Sequence, residues 1–473
     1  MTVRKRYNHF IHGEFRPPNS GNYRTSTSPV NLATVTQVAD GNKRDVADAV
    51  ASASDAFTGW RDRKPIERGR VLCDIARVLR EHKEKLAEIE SAETGKPLFQ
   101  SPHEVEGAAA YFEYYGGLVS ITVGEVVDMG TSYHAYTRRE PFGVIGVITP
   151  WNAPINQAAR AIAPAVAMGN TVVAKPSEFT SATTAELASI AHECGLPAGV
   201  INVVLGDGPQ VGAEIVQHPL VRKIAFTGSL RAGREIGKIA AERVIPVTLE
   251  LGGKSANIIF DDAELAEAIP GSVRAFIANT GQVCLAGTRL LVQDSIIDNV
   301  VEALKNAVNE IQAGQHIGPL ITKAQYEKVL EYFNVAQSEG IDTVTGGEPV
   351  THPDGGYFVP PTIYKTDNRC SRLYKEEIFG PVLVVVPFKN ETEAIELAND
   401  TEYGLVSGLW TRNLSRAHRV AAQLESGQVF VNEWVMGGVE TPFGGYKQSG
   451  IGREKGLEAL HHYTQLKCVI VKL

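Results

Sequence analysis

Three residues whose types could do chemistry at a carbonyl group lie far apart in this chain. Cys284 follows Gly281 among small and polar residues, Glu250 precedes a pair of glycines, and Asn152 follows Pro150-Trp151. A cysteine thiolate attacks carbonyl carbons, a carboxylate moves protons, and an amide N–H stabilises a developing oxyanion. Together a nucleophile, an acid/base group and an amide donor predict acyl chemistry at a carbonyl.

Each of these residues alone has a simpler interpretation. A lone cysteine such as Cys284 is more often a small buried hydrophobic residue than a nucleophile. A lone glutamate such as Glu250 is more often solvated. The chemical interpretation therefore depends on the fold bringing the three residues together.

Composition limits the class of protein. The chain has 473 residues, 43% of them apolar and 21% charged, which is typical of a globular protein of two or three domains. Its net charge of -8 argues against a nucleic-acid partner. No apolar run or leader predicts a membrane span or signal peptide. The five widely spaced cysteines predict a reducing compartment, the cytoplasm, and no metal-ligand spacing occurs.

An alternation of strands and helices predicts the fold. Short apolar runs at 144–148, 171–174, 201–205 and 223–226 are separated by helical stretches at 155–167 and 182–193. This alternation is typical of a parallel sheet covered by helices on both faces, the doubly wound α/β architecture. A second α/β unit follows, with helices near 263–278 and 297–311 and strands near 290–292 and 382–386.

The flanking segments are less regular. Residues 1–64 are predicted to be loops and short strands, and helices are expected from Pro65 to Gly95 and at 104–115. The stretch 119–139 predicts a hairpin. Residues 334–367 are predicted to form a surface loop with strands, and 468–473 a terminal strand that adds to a sheet, often that of a partner.

Polar motifs follow the strands of the first unit, at the edge where such sheets bind ligands. Lys175 and Glu178 can hold the two ribose hydroxyls of an adenosine, and a carboxylate there would repel a 2′-phosphate. Thr227-Gly228-Ser229 opens a helix whose free N–H groups can bind a phosphate. The glycines from Gly206 onward match the usual dinucleotide fingerprint only weakly. The sequence thus predicts a dinucleotide, with NAD favoured over NADP.

The motifs as a set carry a resemblance. In chain order they are Pro150-Trp151-Asn152, Lys175-Pro176-Ser177-Glu178, Phe226-Thr227-Gly228-Ser229, Glu250-Leu251-Gly252-Gly253-Lys254, Gly281-Gln282-Val283-Cys284, Glu377-Ile378-Phe379-Gly380-Pro381 and Pro442-Phe443-Gly444-Gly445. Over residues 140–455 the chain resembles the aldehyde dehydrogenase superfamily. That resemblance implies a Rossmann-like coenzyme domain at 1–118 and 142–252 and an α/β catalytic domain at 253–436. It also implies a β oligomerisation arm and tail at 119–141 and 455–473, which would form a homodimer or homotetramer.

The resemblance also implies a mechanism. Cys284 would attack the aldehyde, the amide of Asn152 and the backbone N–H of Cys284 would meet the oxyanion, and Glu250 would activate water to hydrolyse the thioester. Glu377 would hold the nicotinamide ribose and Phe379 would pack near the nicotinamide. The full set expected to bind the coenzyme is Ile148, Thr149, Trp151, Lys175, Ser177, Glu178, Gly208, Phe226, Thr227, Gly228, Ser229, Leu251, Glu377 and Phe379.

The substrate is the least constrained expectation. Family members often have aromatic residues at positions matching Ala153, Arg160, Ala278 and Gly437, and small residues at three of these predict a wide pocket for a bulky or aromatic aldehyde. Arg160 lies where succinate-semialdehyde dehydrogenases have a carboxylate-binding arginine, so a carboxylate-bearing semialdehyde is the alternative. The second arginine of that clamp is absent, because its position is Ala278. The expected substrate-binding residues are Ala153, Gln157, Arg160, Val283, Trp434 and Phe443.

Acyl transfer and a non-catalytic role are the two alternatives to aldehyde oxidation. A relative that transfers the acyl group to coenzyme A or phosphate does not need a hydrolytic glutamate, so Glu250 favours hydrolysis. A catalytically silent relative, kept as a structural or binding protein, typically lacks the cysteine or the glutamate, and both are present here.

Overall fold

Two large β-sheets organise the computed structural model of the protein, which describes residues 4–473. Within that range, eight strands form the first sheet and seven form the second, and three smaller sheets have two or three strands each. The α/β fold predicted from the sequence is confirmed.

The strands are short, as expected for a sheet that alternates with helices. In chain order they are β1 Arg6–Tyr7, β2 His9–Ile11, β3 Glu14–Arg16, β4 Tyr23–Thr27, β5 Thr34–Ala39, β6 Val126–Val127, β7 Tyr133–Pro141, β8 Val144–Ile148, β9 Thr171–Lys175, β10 Ile201–Val203, β11 Val221–Thr227, β12 Val247–Glu250, β13 Ala256–Ile259, β14 Arg289–Gln293, β15 Asp342–Thr345, β16 Thr362–Lys365, β17 Val382–Phe388, β18 Tyr403–Gly404, β19 Val406–Trp410, β20 Gln428–Val431, β21 Tyr446–Lys447, β22 Gly450–Ile451 and β23 Thr464–Lys472.

The helices lie between these strands and cover the sheets. In chain order they are α1 Lys43–Arg61, α2 Pro65–Glu81, α3 Lys83–Thr94, α4 Ser101–Gly117, α5 Pro154–Ala167, α6 Ala182–Glu193, α7 Ala213–Gln217, α8 Leu230–Glu242, α9 Leu265–Ile277, α10 Ile297–Asn309, α11 Lys323–Ser338, α12 Arg372–Lys375, α13 Glu391–Asn399, α14 Leu414–Ala421 and α15 Glu458–His462. Among residues 4–473, no helix is both long enough and apolar enough to cross a bilayer. The same range has no group of three or more metal-ligating side chains.

The first sheet has the order β22-β12-β11-β8-β9-β10-β2-β3 and is parallel from β12 to β10. Within this sheet β9 and then β10 lie on one side of β8, whereas β11 and then β12 lie on its other side. The carboxyl ends of β8 and β11 therefore flank a topological switch point, the position at which doubly wound sheets bind ligands. The second sheet, ordered β15-β16-β17-β14-β13-β19-β20, is parallel from β16 to β20.

A late segment of the chain returns to the first sheet. Strand β22 pairs antiparallel with β12, and the register places Gly450 opposite Glu250. Close by, Phe443 and Glu454 exchange backbone hydrogen bonds as an isolated antiparallel bridge. Residues 443–456 are thereby held beside the end of β12, although they lie about two hundred residues further along the chain.

The N-terminal prediction of loops and short strands needs a correction. Residues 43–61 form the long helix α1, which begins with a capping box because Asn42 accepts from Arg44 N–H and Asp45 accepts from Asn42 N–H. The helix buries Val46, Ala49, Val50 and Ala53 on one face. Small residues dominate that face, so its apolar stripe is weak in the sequence.

Two further expectations are refined by the structure. The helical region after Pro65 is two helices, α2 and α3, and Gly95 ends the second one in the left-handed conformation with φ 71°. Helix α11 extends to Ser338, into the region 334–367 that was predicted as loop and strand. The other predicted strands and helices of both sheets are found in their places.

The predicted hairpin consists of β6 and β7, and the terminal strand β23 adds to it. Strand β23 pairs antiparallel with β7 of the same chain, from Thr464 opposite Pro141 to Lys472 opposite Tyr133. This three-stranded sheet stands apart from the two large ones and leaves most of β23 exposed.

Candidate active site

The loop that carries Cys284 has an unusual backbone. Asn279, Thr280 and Gly281 follow one another with φ values of 48°, 57° and 69°. Two consecutive non-glycine residues in the left-handed region are costly and persist only when the surroundings hold them. The side chain of Gln282 provides such support, because its Oε1 accepts from Ile321 N–H at 2.9 Å and its Nε2 donates to Asn279 O at 3.1 Å.

Glycines allow the other motifs to approach this loop. A Cβ on Gly281 would overlap with the carbonyl group of Gly380, and one on Gly253 would lie 2.7 Å from the Cys284 carbonyl oxygen. The segments 250–254, 281–284 and 377–381 therefore meet through backbone contacts that only glycine allows.

Asn152 lies against the same loop. Its side-chain Nδ2 donates to Gln282 O at 2.9 Å, and Asn279 Nδ2 donates to Asn152 O at 3.0 Å. The Oδ1 atom of Asn152 is buried without a hydrogen-bond partner in the described chain. These bonds hold the amide of Asn152 beside Gln282, two residues before Cys284.

The surroundings of Cys284 keep its thiol protonated. Burial raises the pKa of Cys284 to about 12, the Glu250 and Glu377 carboxylates add to the effect, and the Arg160 guanidinium opposes it. A buried thiol of this kind becomes a nucleophile only when a neighbouring group or a bound ligand removes or accepts its proton.

Glu250 ends strand β12 and is fully enclosed. Its carboxylate is 2% exposed, and neither oxygen has a hydrogen-bond partner among the described residues. Burial, and then the charge of Glu454, raise the pKa of Glu250 well above the ordinary glutamate value, while Arg160 and Arg453 oppose the shift. A buried carboxyl group with a raised pKa and no fixed partner is a candidate general base.

Arg160 is already paired within the protein. Its guanidinium forms a buried ion pair with Glu454, donates to Thr227 Oγ1 at 3.0 Å and lies 5.3 Å from the centre of the Phe443 ring. The Glu454 carboxylate is therefore buried next to Arg160, behind the site. The sequence pattern did not single out Glu454. The signal was present as a charged run between Gly452 and Gly456, but nothing in the sequence showed that this run returns to β12.

A cavity of about 260 Å³ opens onto the thiol. The structure brings most of the expected catalytic and substrate-binding residues to its walls, namely Asn152, Ala153, Gln157, Arg160, Val283, Cys284 and Phe443. Gly437, one of the positions expected to widen the pocket, is also in the wall, together with residues that the sequence did not predict, among them Glu104, Tyr111, Phe430, Met436 and Lys455.

Trp434 lies behind the cavity wall, so its role as a substrate-binding residue stays a prediction. Its indole is buried against the backbone of Gly287 and Gly408, where added Cβ atoms would lie 2.8 and 2.6 Å from the ring, and it packs with Phe430 and Phe443 in the apolar cluster next to Cys284. Ala278 also lies outside the cavity, and it is exposed. The aromatic wall expected at Trp434 is instead formed by Phe430.

The switch point of the first sheet offers a crevice for a dinucleotide. Thr149 follows β8, and its Oγ1 is buried without a hydrogen-bond partner in the described residues. Ser229 caps helix α8 by accepting from Ala232 N–H, so the start of α8 faces the end of β11. Lys175 Nζ and Glu178 Oε2 form an ion pair of 3.1 Å after β9. An unpartnered hydroxyl, a helix N-terminus and a lysine–carboxylate pair fit the ribose and phosphate groups of a dinucleotide.

The nicotinamide end of the expected site is also assembled. Glu377 Oε1 accepts from Gly253 N–H at 3.0 Å, and a Cβ on Gly252 would overlap with its carboxylate. The rings of Trp151 and Phe379 meet edge to face with centroids 5.4 Å apart. Phe379 itself is held at φ 62°.

The remaining expected coenzyme residues lie near these groups and have mostly structural contacts. Ile148, Phe226 and Leu251 are buried and pack together on the sheet. Ser177 Oγ accepts from Phe179 N–H, and Gly208 begins a single turn of π-helix capped by Asp207. Gly228 cannot carry a Cβ, because the Phe226 ring occupies the space.

Comparison with known proteins decides the family. The sequence model of the aldehyde dehydrogenase family matches residues 15–469. The chain belongs to the aldehyde dehydrogenase family. The enzyme class expected from its motifs is thereby confirmed.

Individual relatives cover the whole chain. A betaine aldehyde dehydrogenase of Mesorhizobium japonicum is 41% identical and covers 100% of this chain and 98% of its own. A hydroxyisobutyraldehyde dehydrogenase of Mycolicibacterium austroafricanum is 38% identical and covers 98% of this chain and 93% of its own. The solved structure of an indole-3-acetaldehyde dehydrogenase in complex with NAD+ matches with a TM-score of 0.98 at 37% identity, covering 100% of this chain and 97% of its own. These aldehyde dehydrogenases are thus named for chemically different aldehydes.

Proposed function

We propose that this aldehyde dehydrogenase oxidises an aldehyde to the carboxylic acid with NAD, using Cys284 as nucleophile and Glu250 as base. The observation that supports this most directly is the cavity onto which Cys284 and Asn152 open, together with the buried, unpartnered carboxylate of Glu250, whose charge raises the pKa of the thiol. A nucleophile, an oxyanion donor and a proton acceptor in one enclosed site are what acyl chemistry requires.

NAD is the coenzyme that the crevice favours. Lys175 and Glu178 would hold the adenosine ribose, and the Glu178 carboxylate would repel the 2′-phosphate of NADP. Glu377 would hold the second ribose, with Trp151 and Phe379 near the nicotinamide. When bound, the nicotinamide supplies the acceptor for the hydride that leaves the substrate carbon. The indole-3-acetaldehyde dehydrogenase solved with NAD+ supports the assignment.

The residues of the chain then act in order. The Cys284 thiol passes its proton to the Glu250 carboxylate, which releases it to solvent, and the sulfur attacks the aldehyde carbon to form a thiohemiacetal anion whose oxygen faces the Asn152 amide and the Cys284 N–H. Loss of hydride from that carbon to a bound nicotinamide would leave a thioester on Cys284. Glu250 then takes a proton from water, the resulting hydroxide adds to the thioester carbon, and the C–S bond breaks to give the carboxylic acid and the Cys284 thiolate, which recovers the proton from Glu250.

The cavity walls favour a bulky or aromatic aldehyde. Tyr111, Phe430 and Phe443 offer aromatic surface, while Ala153 and Gly437 leave space where larger side chains would narrow the cavity. A carboxylate-bearing semialdehyde bound by Arg160 is the alternative. The ion pair of Arg160 with Glu454 counts against that role for the arginine, because its charge is already balanced.

We further propose that the protein is a homodimer or homotetramer located in the cytoplasm. The three-stranded sheet of β6, β7 and β23 exposes apolar side chains, including Val126, Leu466 and Ile470. All five cysteines are free, as is usual in a reducing compartment.

The test is NADH formation by purified protein with NAD and a panel of aldehydes. The panel contains benzaldehydes, linear aliphatic aldehydes and succinate semialdehyde, and Cys284→Ala is the inactive control. We expect the highest kcat/KM with aromatic members and no turnover by the variant. Turnover of no aldehyde, despite NAD binding, would instead favour a catalytically silent protein, and coenzyme A-dependent turnover would favour acyl transfer.

A further inference from the structure

Lys455 stands out among the residues of the cavity wall because its charge has no partner. It lines the same cavity as Cys284 and is half-buried. Within the described residues its Nζ forms no hydrogen bond or ion pair, and its nearest marked contact is the Phe443 ring, 5.9 Å from Nζ to centroid. A cation that is partly removed from water without a counter-ion costs free energy unless a ligand supplies one.

The other charged groups of the wall have ion-pair partners within the protein. Arg160 is paired with Glu454, and Glu104 shares the Lys96 ammonium with the buried Glu90, at 2.8 and 3.3 Å. Lys455 is therefore the charged side chain of the wall that has no ion-pair partner among the described residues. The carboxylate of Glu440 acts on it from outside the ion-pair range and is exposed to solvent.

The backbone holds Lys455 in a conformation that lysine seldom adopts. Its φ is 62°, in the left-handed region. The residues on both sides fix this conformation, because Glu454 bridges to Phe443 and Gly456 N–H donates to Val439 O at 2.7 Å. The strained backbone and its two anchors thus present the lysine at the cavity rather than leaving it on a mobile loop.

We propose that Lys455 binds a carboxylate carried by the aldehyde substrate, at the end of the molecule away from the formyl group. The preferred substrates would then be bulky or aromatic aldehydes with a second, ionised acid group. This inference rests on the proposed oxidation of aldehydes at Cys284 and specifies which aldehydes are preferred. It moves the recognition of the carboxylate from Arg160, which is paired, to Lys455, which is free.

Burial is consistent with this assignment. It lowers the pKa of Lys455 to about 8, the Arg160 guanidinium adds to the effect, and the Glu440 carboxylate opposes it. An arriving carboxylate would restore the stability of the ammonium form by providing the missing counter-ion.

The experiment compares pairs of aldehydes that differ only in charge. Kinetic constants are measured for 4-formylbenzoate against 4-formylbenzamide, and for succinate semialdehyde against its amide, with saturating NAD. The variants are Lys455→Met, which removes the charge at similar length, and Lys455→Arg, which keeps it. Lys238→Met, at an exposed lysine paired with Glu235, is the control for a lost surface charge.

We expect the wild-type enzyme to prefer the acid over the amide. Lys455→Met should lower kcat/KM for the acids by about 10- to 100-fold, mainly through KM, as expected for a charged group left without its partner. The amides should change by less than about 3-fold, and Lys455→Arg should recover most of the preference. Lys238→Met should behave as wild type.

Two results would overturn the inference while leaving the proposed function intact. One is equal kcat/KM for acid and amide in the wild type, and the other is a loss in Lys455→Met that affects both members of a pair equally. If no aldehyde is oxidised at all, the proposed function fails first. In that case calorimetric titration with terephthalate still tests the lysine, because binding must weaken in Lys455→Met for the inference to hold.

Discussion

At the scale of single residues, the site combines two groups that both prefer to hold protons. The pKa of Cys284 is raised to about 12, and that of Glu250 is raised well above its usual value. The two acids share one enclosed space, so ionising one makes ionising the other harder. The thiol and the hydrolytic water must therefore lose their protons in separate steps. A reaction that passes through a thioester provides this separation, because the thiol ionises before the thioester forms and the water ionises after it.

Removing the base should separate these steps. In Glu250→Gln we expect the steady-state rate to fall by about 100- to 10,000-fold, because no carboxylate remains to activate water. If thioester formation survives, a burst of about one NADH per active site should precede the slow phase, which stopped-flow absorbance would detect. A steady-state rate close to wild type would show that another group activates the water.

The raised pKa of Cys284 predicts how the free enzyme reacts with alkylating agents. Below the pKa, the thiolate fraction grows about tenfold per pH unit. We therefore expect the rate of iodoacetamide modification at Cys284, followed by mass spectrometry of its peptide, to rise between pH 7 and pH 10 without reaching a plateau. A plateau near neutral pH in the absence of NAD would mean that the thiol is already ionised in the free enzyme.

At the scale of elements, helix α3 supports two helices that lead into the site. Glu90 Oε2 accepts from Ile155 N–H in the first turn of α5, at 3.4 Å, and Glu93 Oε2 accepts from Ala182 N–H in the first turn of α6, at 2.9 Å. Neither α5 nor α6 has a capping side chain of its own. Two glutamates one turn apart thus cap the helix that follows Asn152 and the helix that follows the Lys175 to Glu178 motif.

Glu93 should make folding stability depend on pH. Burial raises the pKa of Glu93 from 4.5 to about 8, so the folded state binds its proton more tightly than the unfolded state. Its contribution to stability is fully present below about pH 4.5 and is lost as the pH rises through about 8. The Glu93→Gln variant should gain stability relative to wild type from pH 5 to pH 9, by thermal unfolding of both. Glu88→Gln, at an exposed position of the same helix, should follow wild type at every pH.

The nucleophile loop depends on a glycine at one position. Gly281 has φ 69°, and a Cβ would overlap with Gly380, so Gly281→Ala should displace Cys284 and lower kcat by at least about tenfold. Gly59→Ala is the matched control, because it lies in helix α1 with open space around its Cβ position and should be neutral or slightly stabilising. Activity and unfolding temperature measured together would show whether Gly281→Ala acts on the loop or on the whole fold.

At the scale of the whole molecule, the sheet of β6, β7 and β23 is the surface that we propose for assembly. Leu466 and Ile470 lie on one face of β23 and are 61% and 57% exposed. If this face contacts a second copy, Leu466→Lys combined with Ile470→Lys should lower the mass seen by sedimentation velocity. Gln465→Lys, on the opposite face of the strand, should leave the mass unchanged. An unchanged mass in the double variant would place the interface elsewhere.

The sequence predicts those parts of the molecule whose signal is local. Strands β8, β9 and β11 are apolar runs followed by polar motifs, and Cys284 and Glu250 lie in motifs specific enough to indicate the family. Helix α1 was missed because small and polar residues, among them Ala49, Ser52 and Ala53, interrupt the large apolar residues on its buried face. Its capping box at Asn42 was the available signal.

The rest of the site arises from long-range packing. Glu454 reaches Arg160 and Lys455 reaches the cavity because β22 pairs with β12, and no spacing rule in the sequence reports that pairing. The position of Trp434 behind the wall has a related cause, since its burial against Gly408 depends on the path of a neighbouring strand. Sequence patterns indicate which residues carry the chemistry, whereas the residues that form the cavity walls around them can be identified only from the folded chain.

The return of β22 also determines when the enzyme can first become active during its synthesis. The edge strand Gly450–Ile451 and the residues that follow it complete the surroundings of Glu250, and they are synthesised about two hundred residues after it. A nascent chain can fold much of its N-terminal sheet while translation continues. The site around Cys284 and Glu250, however, can be complete only after this later segment has emerged and paired with β12, so the nascent chain does not present a fully formed cavity before then.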